Sequence, residues 1–201
     1  PRRGSGAAAL LLLRDLLPHL GITITPEIAT CLQTALMVDT GRFSYTNTTP
    51  TTLRIAADLL AAGADVATMV EWTWGRMSLP ATRLHGRAMA GVQVSADGRV
   101  AWGVLAAHDY DECGASAEDT EGVIDRVRAI RDVQVALLFS ERQGIVRVSL
   151  RSQGQVDVAK LARQFGGGGH VKAAGLSHDG PLDTAIHEVL RAVERALPPA
   201  S

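Results

Sequence analysis

The chain has 201 residues, of which 46% are hydrophobic and 20% charged, and its formal net charge is −1. These values are ordinary for a soluble globular protein, and they exclude a uniformly basic nucleic-acid coat. Its two cysteines, Cys31 and Cys113, lie far apart without metal-ligand spacing, so nothing indicates a disulfide framework and a reducing, cytoplasmic setting is expected. The longest apolar run, at 7–13, is too short to cross a bilayer, so no membrane partner is expected.

The first third of the chain is predicted to be helical. Residues 7–20 are apolar nearly all round a helix, which is typical of a helix packed on several sides. Thr25 and Thr49, each followed by proline, predict the starts of two further helices. The first of these runs towards Asp39, which has a glycine two residues after it. From the residues alone, this carboxylate is either an ordinary helix-end residue or a catalytic or metal-binding group.

A tryptophan-containing stretch follows at residues 65–85. The pattern predicts a helix-like segment that is broken by Pro80 and that bridges two domains. Its Trp72 and Trp74 are typical of interdomain packing, and a base-stacking platform is the alternative.

The second half of the chain alternates strands and helices. Residues 92–94 and 100–104 flank the dipeptide Asp97-Gly98, which predicts a β-hairpin. The apolar periodicity then predicts a helix from about 120, strands at 133–139 and 145–151, a helix at 158–165, a strand around 176 and a closing helix at 181–197.

The strand at 145–151 alternates apolar and polar residues. One face is therefore apolar, and the other carries Arg147, Ser149 and Arg151. Two arginines and a hydroxyl on one face suit a phosphate, because the planar guanidinium binds phosphate oxygens bidentately; the alternative is a solvated sheet face. Residues 139–175 carry six Lys/Arg against two acidic residues, a local net charge of +4 that favours an anionic ligand.

The whole chain is predicted to be organised around residues 165–175, which read Phe-Gly-Gly-Gly-Gly-His-Val-Lys-Ala-Ala-Gly. Because glycine has no Cβ, the run at 166–169 lets the backbone approach a ligand closely. A short helix at 171–174 is predicted to add partial positive charge through its N-terminus. His170 and Lys172 at the mouth also favour an anion. The alternative is a flexible surface linker.

Three motifs together resemble the DHH phosphoesterase superfamily. They are Asp-Thr-Gly-x-Phe at 39–43, Asn-Thr-Thr-Pro at 47–50 and Gly-Gly-Gly-Gly-His-x-x-Ala-Ala-Gly at 166–175. Their order and spacing, with Asp-Thr-Glu-Gly at 119–122 and Ser-Leu-Arg-Ser at 149–152, are similar to those of the nanoRNase/pAp-phosphatase branch. The resemblance covers essentially the whole chain.

The resemblance implies an α/β protein with two domains. Residues 1–64 are expected to be the C-terminal portion of a DHH catalytic domain, mainly helical in this chain. Residues 65–87 are expected to be an interdomain helical linker, and residues 88–201 a DHH-associated substrate-binding domain with a mixed sheet.

The resemblance also implies roles for individual residues. Asp39 matches the last aspartate of a two-manganese site, which activates water for displacement at phosphorus. The implied substrate pocket comprises Ser149, Arg151, Gly167, Gly168, Gly169 and His170. Arg147 and Lys172 share its positive charge without belonging to a motif. The implied cofactor is Mn²⁺ and the implied partner is a short RNA, pAp or a linear or cyclic dinucleotide, and a homodimer is left open.

The chain departs from the family in its metal ligands, because it contains no Asp-His-His triplet and Asp39 alone cannot hold two metal ions. We therefore interpret the chain as the C-terminal portion of a longer phosphoesterase. Three functions stay open: a Mn²⁺-dependent phosphodiesterase or phosphatase for the parent protein, a nucleotide- or RNA-binding module without hydrolytic activity, and an interaction fragment with an exposed apolar N-terminal face.

Overall fold

The computed structural model describes the chain at residues 16–17, 19–44 and 47–199. The chain divides into two compact units, Pro1–Arg76 and Met77–Ser201. The helix predicted at 7–20 begins outside the described residues. Among the described helices, none combines the length and the apolarity needed to cross a membrane.

The first unit is helical, as predicted. Its described part contains α1 (Pro26–Asp39), α2 (Pro50–Ala61), α3 (Val66–Val70) and one π-helical turn (Glu71–Gly75). Thr25 and Thr49 accept hydrogen bonds from the backbone N–H groups of Ile28 (3.4 Å) and Thr52 (3.1 Å) at the starts of α1 and α2. The predicted threonine caps are therefore confirmed, and they satisfy donors that a helix start leaves unpaired.

The core of the first unit lies between α1 and α2. Leu36 of α1 is fully buried in one cluster with Ile55 and Leu59 of α2. Phe43, in the turn after α1, packs against the same cluster. Because burying a large apolar side chain contributes about 1.5–3 kcal/mol, this cluster holds both helices and the turn that follows Asp39.

The second unit is an α/β domain built on a six-stranded sheet. Its helices are α4 (Leu79–Ala90), α5 (Ala107–Cys113), a 3-10 turn (Glu118–Thr120), α6 (Val123–Arg128), α7 (Val158–Arg163) and α8 (Leu182–Ala196). Its strands are β1 (Gln93–Val94), β2 (Val100–Leu105), β3 (Val135–Arg142), β4 (Ile145–Ser152), β5 (Gly168–His170) and β6 (Ala173–His178). The strand order is β1-β2-β3-β4-β6-β5, and β2 and β3 are parallel while the other pairs are antiparallel. The expected mixed sheet is confirmed.

The two faces of this sheet are covered differently. On one face, Phe139 of β3 and Val148 of β4 are buried in a cluster with residues of α7 and α8. On the other face, Ala136 and Leu138 of β3 are buried in a cluster with residues of α4, α5 and α6. In β4 only the first face is apolar and buried, whereas Arg147 is exposed. The alternation predicted for β4 is therefore confirmed.

Of two local predictions, one is confirmed and one was wrong. The helical stretch at 65–85 is interrupted between Gly75 and Leu79, just before Pro80. Pro80 itself lies in the first turn of α4, where Ser78 caps the helix by accepting a hydrogen bond from Ala81 N (3.0 Å). The segment at 171–174 is not helical, because the turn after β5 leads straight into β6. Helix α4, whose start falls in the predicted linker, packs inside the second unit through buried Leu84 and Ala88.

Two of the four consecutive glycines are required by packing between β5 and β6. A Cβ on Gly167 would meet the carbonyl oxygen of Gly175 and lie 2.8 Å from Leu176 Cα. A Cβ on Gly169, whose φ is +142°, would lie 2.6 Å from Ala174 Cα. Both contacts involve backbone atoms, which cannot rotate away, so a side chain at either position would push the two strands apart.

We expect the substitution Gly167→Ala to lower the free energy of unfolding by about 1–3 kcal/mol, because the added methyl group overpacks the β5–β6 contact. Chemical denaturation followed by circular dichroism measures this change. Gly86→Ala is the matched control, since a Cβ at Gly86 of α4 has no atom within 4 Å. Equal stability of the two variants would contradict the packing role of Gly167.

Candidate functional site

Most residues predicted to bind a ligand lie on the face of the sheet where β4, β6 and β5 run side by side. Arg151 of β4 pairs with Ala173 of β6, which pairs in turn with His170 of β5. Paired residues lie on the same face, and because neighbouring strands are about 4.8 Å apart, the Cα atoms of Arg151 and His170 are roughly 10 Å apart. The small side chain of Ala173 leaves room between the arginine and the histidine.

The next row along the strands has almost no side chains. Ser149 pairs with Gly175, which pairs with Gly168. A Cβ on Gly168 would have no atom within 4 Å, and one on Gly175 would have only the backbone oxygen of Val148, at 3.6 Å. Packing therefore requires glycine at neither position, and the row forms a bare floor that another molecule can approach closely.

A second arginine stands on the far side of this floor. Arg147 pairs with Ser177 in the third row and is exposed. Arg147 and Arg151 are four residues apart on one strand, which places their Cα atoms about 13 Å apart. Each guanidinium is permanently charged and offers several N–H donors, so the bare floor has a cation at each end of its β4 side.

Helices form a wall beside the floor. Ala136 and Leu138 of β3, which pair with Arg151 and Ser149, are buried under α4, α5 and α6. Of these helices, α6 contacts β4 as well as β2 and β3. The face formed by β4, β6 and β5 is therefore open above the floor and bounded by helices on its β3 side.

The remaining predicted pocket residues do not lie on this floor. Lys172, in the turn between β5 and β6, donates a hydrogen bond from Nζ to the carbonyl oxygen of Gly154, and its own carbonyl accepts from Ser152 N (3.0 Å). Gly167 and Gly169 pack against β6, as described above. Of the three predicted pocket glycines, only Gly168 faces open space, so among these three the expected close approach is confined to one residue.

Asp39 is the last residue of α1, in the first unit. It is half-buried, and Asn47 Nδ2 donates to both its Oδ2 and its backbone oxygen, at 3.1 Å each. The Asn-Thr motif noticed in the sequence therefore fixes the orientation of this carboxylate. Asn47 Oδ1 and Thr48 Oγ1 are buried and have no hydrogen-bond partner among the described residues.

The described residues do not by themselves fit a two-manganese site. Oxygen ligands such as carboxylates and carbonyls suit Mn²⁺, and Asp39 and its motif supply oxygens. However, within 19–44 and 47–199 there is no group of three or more His, Cys, Asp or Glu side chains that could hold a metal ion. The role of Asp39 as a metal ligand stays a prediction.

Sequence reasoning missed two residues of these rows, Gly175 of the floor and Ser177 of the row beyond it. The signal was present, because a strand centred on apolar Leu176 must turn both of its neighbours to the opposite face. Their partners on β4, Ser149 and Arg147, could not be identified from the sequence, since pairing between strands so far apart in the chain depends on the fold.

Comparisons with known proteins agree with this architecture. The DHHA1 domain model matches residues 100–197. A bifunctional oligoribonuclease and PAP phosphatase NrnA from Thermus thermophilus is 36% identical over 196 residues, which cover 96% of this chain and 58% of that protein. An A-adding tRNA nucleotidyltransferase from Aquifex aeolicus is 26% identical over 190 residues, which cover 93% of this chain and 22% of that protein.

A solved structure shares the fold. An exopolyphosphatase-related protein from Bacteroides fragilis matches with a TM-score of 0.86 and 27% identity, covering 92% of this chain and 56% of that one. The second unit is thus a DHHA1 domain that follows a helical unit. The chain belongs to the DHH phosphoesterase superfamily, in the nanoRNase/pAp-phosphatase branch of NrnA-type proteins, and it spans a little over half the length of the NrnA relative and of this structure.

The floor itself can be tested with Gly168→Val. The β-branched side chain suits a strand and finds open space, so we expect the fold to persist while a phosphate-bearing ligand loses its approach. Isothermal titration with a mononucleotide measures the affinity, which should fall at least tenfold. Gly86→Val is the matched control, because it adds the same side chain at an open position on α4. Unchanged affinity in Gly168→Val would remove this residue from the binding floor.

Proposed function

We propose that the second unit binds the phosphate of a nucleotide or short RNA, and that the whole protein is a phosphoesterase acting on short oligoribonucleotides, on pAp or on dinucleotides. The observation that carries this proposal is the bare Ser149–Gly175–Gly168 row between two arginines. It is supported by the match to an oligoribonuclease and PAP phosphatase over 96% of the chain.

The proposed binding chemistry follows from the three rows. Arg151 offers a planar fork that matches two phosphate oxygens, and His170, two strands away, donates to the same group from the other side. The small side chain of Ala173 between them, and the missing side chain of Gly168 in the next row, let a phosphate or ribose lie close to the strands. The Ser149 hydroxyl adds a donor at the floor, and Arg147 attracts a second phosphate or the following nucleotide.

Asp39 is proposed to act in the catalytic half of the same protein. It stands in the first unit with its carboxylate oriented by Asn47. Manganese, with Asp39 as one of its ligands, is proposed for the whole protein on the strength of the family resemblance. When bound, a pair of such ions supplies an activated water for displacement at phosphorus.

The binding half of the proposal is tested by Arg151→Ala. Losing hydrogen bonds from a charged group costs about 1.5–3 kcal/mol, so we expect mononucleotide affinity to fall about 10- to 100-fold. Arg191→Ala on the exposed side of α8 is the charge-matched control. Titration calorimetry of the two variants at one ionic strength gives the comparison, and equal affinities would place the nucleotide elsewhere.

The catalytic half of the proposal is tested in the whole protein by comparing a variant expected to lose manganese with one expected to lose nucleotide affinity. We expect Asp39→Asn to lower manganese content and mononucleotide release from an RNA dinucleotide while leaving nucleotide affinity unchanged. We expect Arg151→Ala to leave the manganese content unchanged and to lower the affinity for the nucleotide. Manganese measured by mass spectrometry and product measured by chromatography distinguish the two outcomes, and full activity in Asp39→Asn would contradict its role.

A second candidate function is an RNA-binding module without hydrolytic activity. It is favoured by the match to an A-adding tRNA nucleotidyltransferase, which covers 93% of this chain but only 22% of that protein. Nucleotide binding that depends on Arg151, together with no product release by the whole protein at any manganese concentration, would support this function over hydrolysis.

A further inference from the structure

The most exposed aromatic side chain described in the structure belongs to Trp72, in the first unit. Its residue is 68% exposed, the largest fraction among the exposed large hydrophobic residues. A tryptophan exposed to this extent leaves most of its ring in water, where the ring of a ligand can stack on it. Neither the floor of the second unit nor the turn at Asp39 includes this residue.

The Trp72 ring is stacked against the guanidinium of Arg76. The Arg76 guanidinium carbon lies 4.8 Å from the ring centroid, within the range of a cation–π interaction. Glu71 Oε1 accepts hydrogen bonds from Arg76 Nε (3.0 Å) and Nη2 (2.7 Å), which fixes the guanidinium in place. Tryptophan and arginine are thus ordered as one stacked pair before any ligand binds.

The backbone that carries this pair is unusual. Residues Glu71–Gly75 form a single π-helical turn, a rare structure that occurs frequently at functional sites. On the same turn, Trp74 receives a second arginine, because the Arg42 guanidinium carbon lies 5.5 Å from its ring centroid. Each of the two tryptophans on this turn is therefore paired with an arginine from outside it.

The second pair connects this segment to the turn after Asp39. Gly41, Arg42 and Phe43 are three consecutive left-handed residues, with φ of 56°, 58° and 64°. Two of them are not glycine, and non-glycine residues adopt this conformation at a cost. The turn places Phe43 against the core and Arg42 on Trp74, so the tryptophan segment is attached to the same turn that ends the helix of Asp39.

We propose that Trp72 and Arg76 form a stacking platform for a base of single-stranded RNA, a subsite separate from the phosphate floor of the second unit. Aromatic side chains with arginines bind single strands in this way, since every base has a π-face and every nucleotide a phosphate. The platform rests on the proposed function, because it would bind a base of the short RNA that this function takes as its substrate.

The chemistry favours RNA over an apolar partner. Arginines flank both tryptophans, and a cation next to each ring offers a phosphate partner for every stacked base. Arg76 uses Nε and Nη2 for Glu71, which leaves Nη1 outside that fork. A protein partner that covered Trp72 with apolar residues would have to bury the Glu71–Arg76 ion pair as well, which is costly.

Pentariboadenylate, adenosine monophosphate and an abasic pentamer with the same phosphates are the probes. In Trp72→Ala we expect the affinity for pentariboadenylate to fall about tenfold, as for the loss of one stacked base, and in Trp72→Phe by less. Affinity for the monophosphate and for the abasic pentamer should not change. Pentariboadenylate should quench the tryptophan fluorescence of the wild type, and this quenching should be largely lost in Trp72→Phe but retained in the control Trp102→Phe.

Three results would contradict the proposed platform at Trp72. Wild-type affinity for pentariboadenylate in Trp72→Ala, or an equal loss with the abasic pentamer, overturns the platform. Self-association of the wild type that Trp72→Ala abolishes without any effect on RNA affinity also overturns it, in favour of a protein interface. Failure of the phosphate floor is recognised separately, because monophosphate binding would then be insensitive to Arg151→Ala while the fluorescence quenching still tests Trp72.

Discussion

The register between β4, β6 and β5 is the constraint on which the candidate site depends. Side chains alternate along a strand, so a slip of one residue in β6 would turn Ala173 and Gly175 towards the core and move Ala174 and Leu176 to the open face. Gly167 and Gly169 oppose such a slip, because each fits against one particular pair of backbone positions in β6. Gly167 and Gly169 therefore act on the strands, whereas Gly168 leaves open space for a ligand.

The helices cover the two faces of the sheet unequally. One face of β4 is buried, whereas on the other face the helices of the second cluster pack over β2 and β3 and reach β4 through α6. The polar rows thus lie next to a wall of packed helices. Paired strands hold the arginines, since the Arg151 and Ser149 rows are paired on both sides of β6 and the Arg147 row is paired on its β4 side.

How much the sequence could predict depends on how local each feature is. The caps at Thr25 and Thr49, the alternation of β4 and the mixed α/β character follow from neighbouring residues, and all were predicted. The helix expected at 171–174 was wrong, because Ala-Ala favours a helix locally whereas ladder pairing with Arg151 and Leu150 decides the conformation. Other features depend on β6, which local patterns could not align with β4. They are the packing roles of Gly167 and Gly169 and the places of Gly175 and Ser177 beside β4.

The turn after α1 shows how one strained segment serves several purposes in the first unit. Three left-handed residues cost about 1–2 kcal/mol for each non-glycine member. Thr40, which is fully buried, offsets part of this cost because its hydroxyl donates to Leu36 O (2.7 Å) and accepts from Phe43 N (3.2 Å). Burial of Phe43 and stacking of Arg42 on Trp74 add to the stabilisation. The same turn therefore follows Asp39 at the end of α1 and orders the segment that carries Trp74. Loosening this turn would disturb both Asp39 and Trp74.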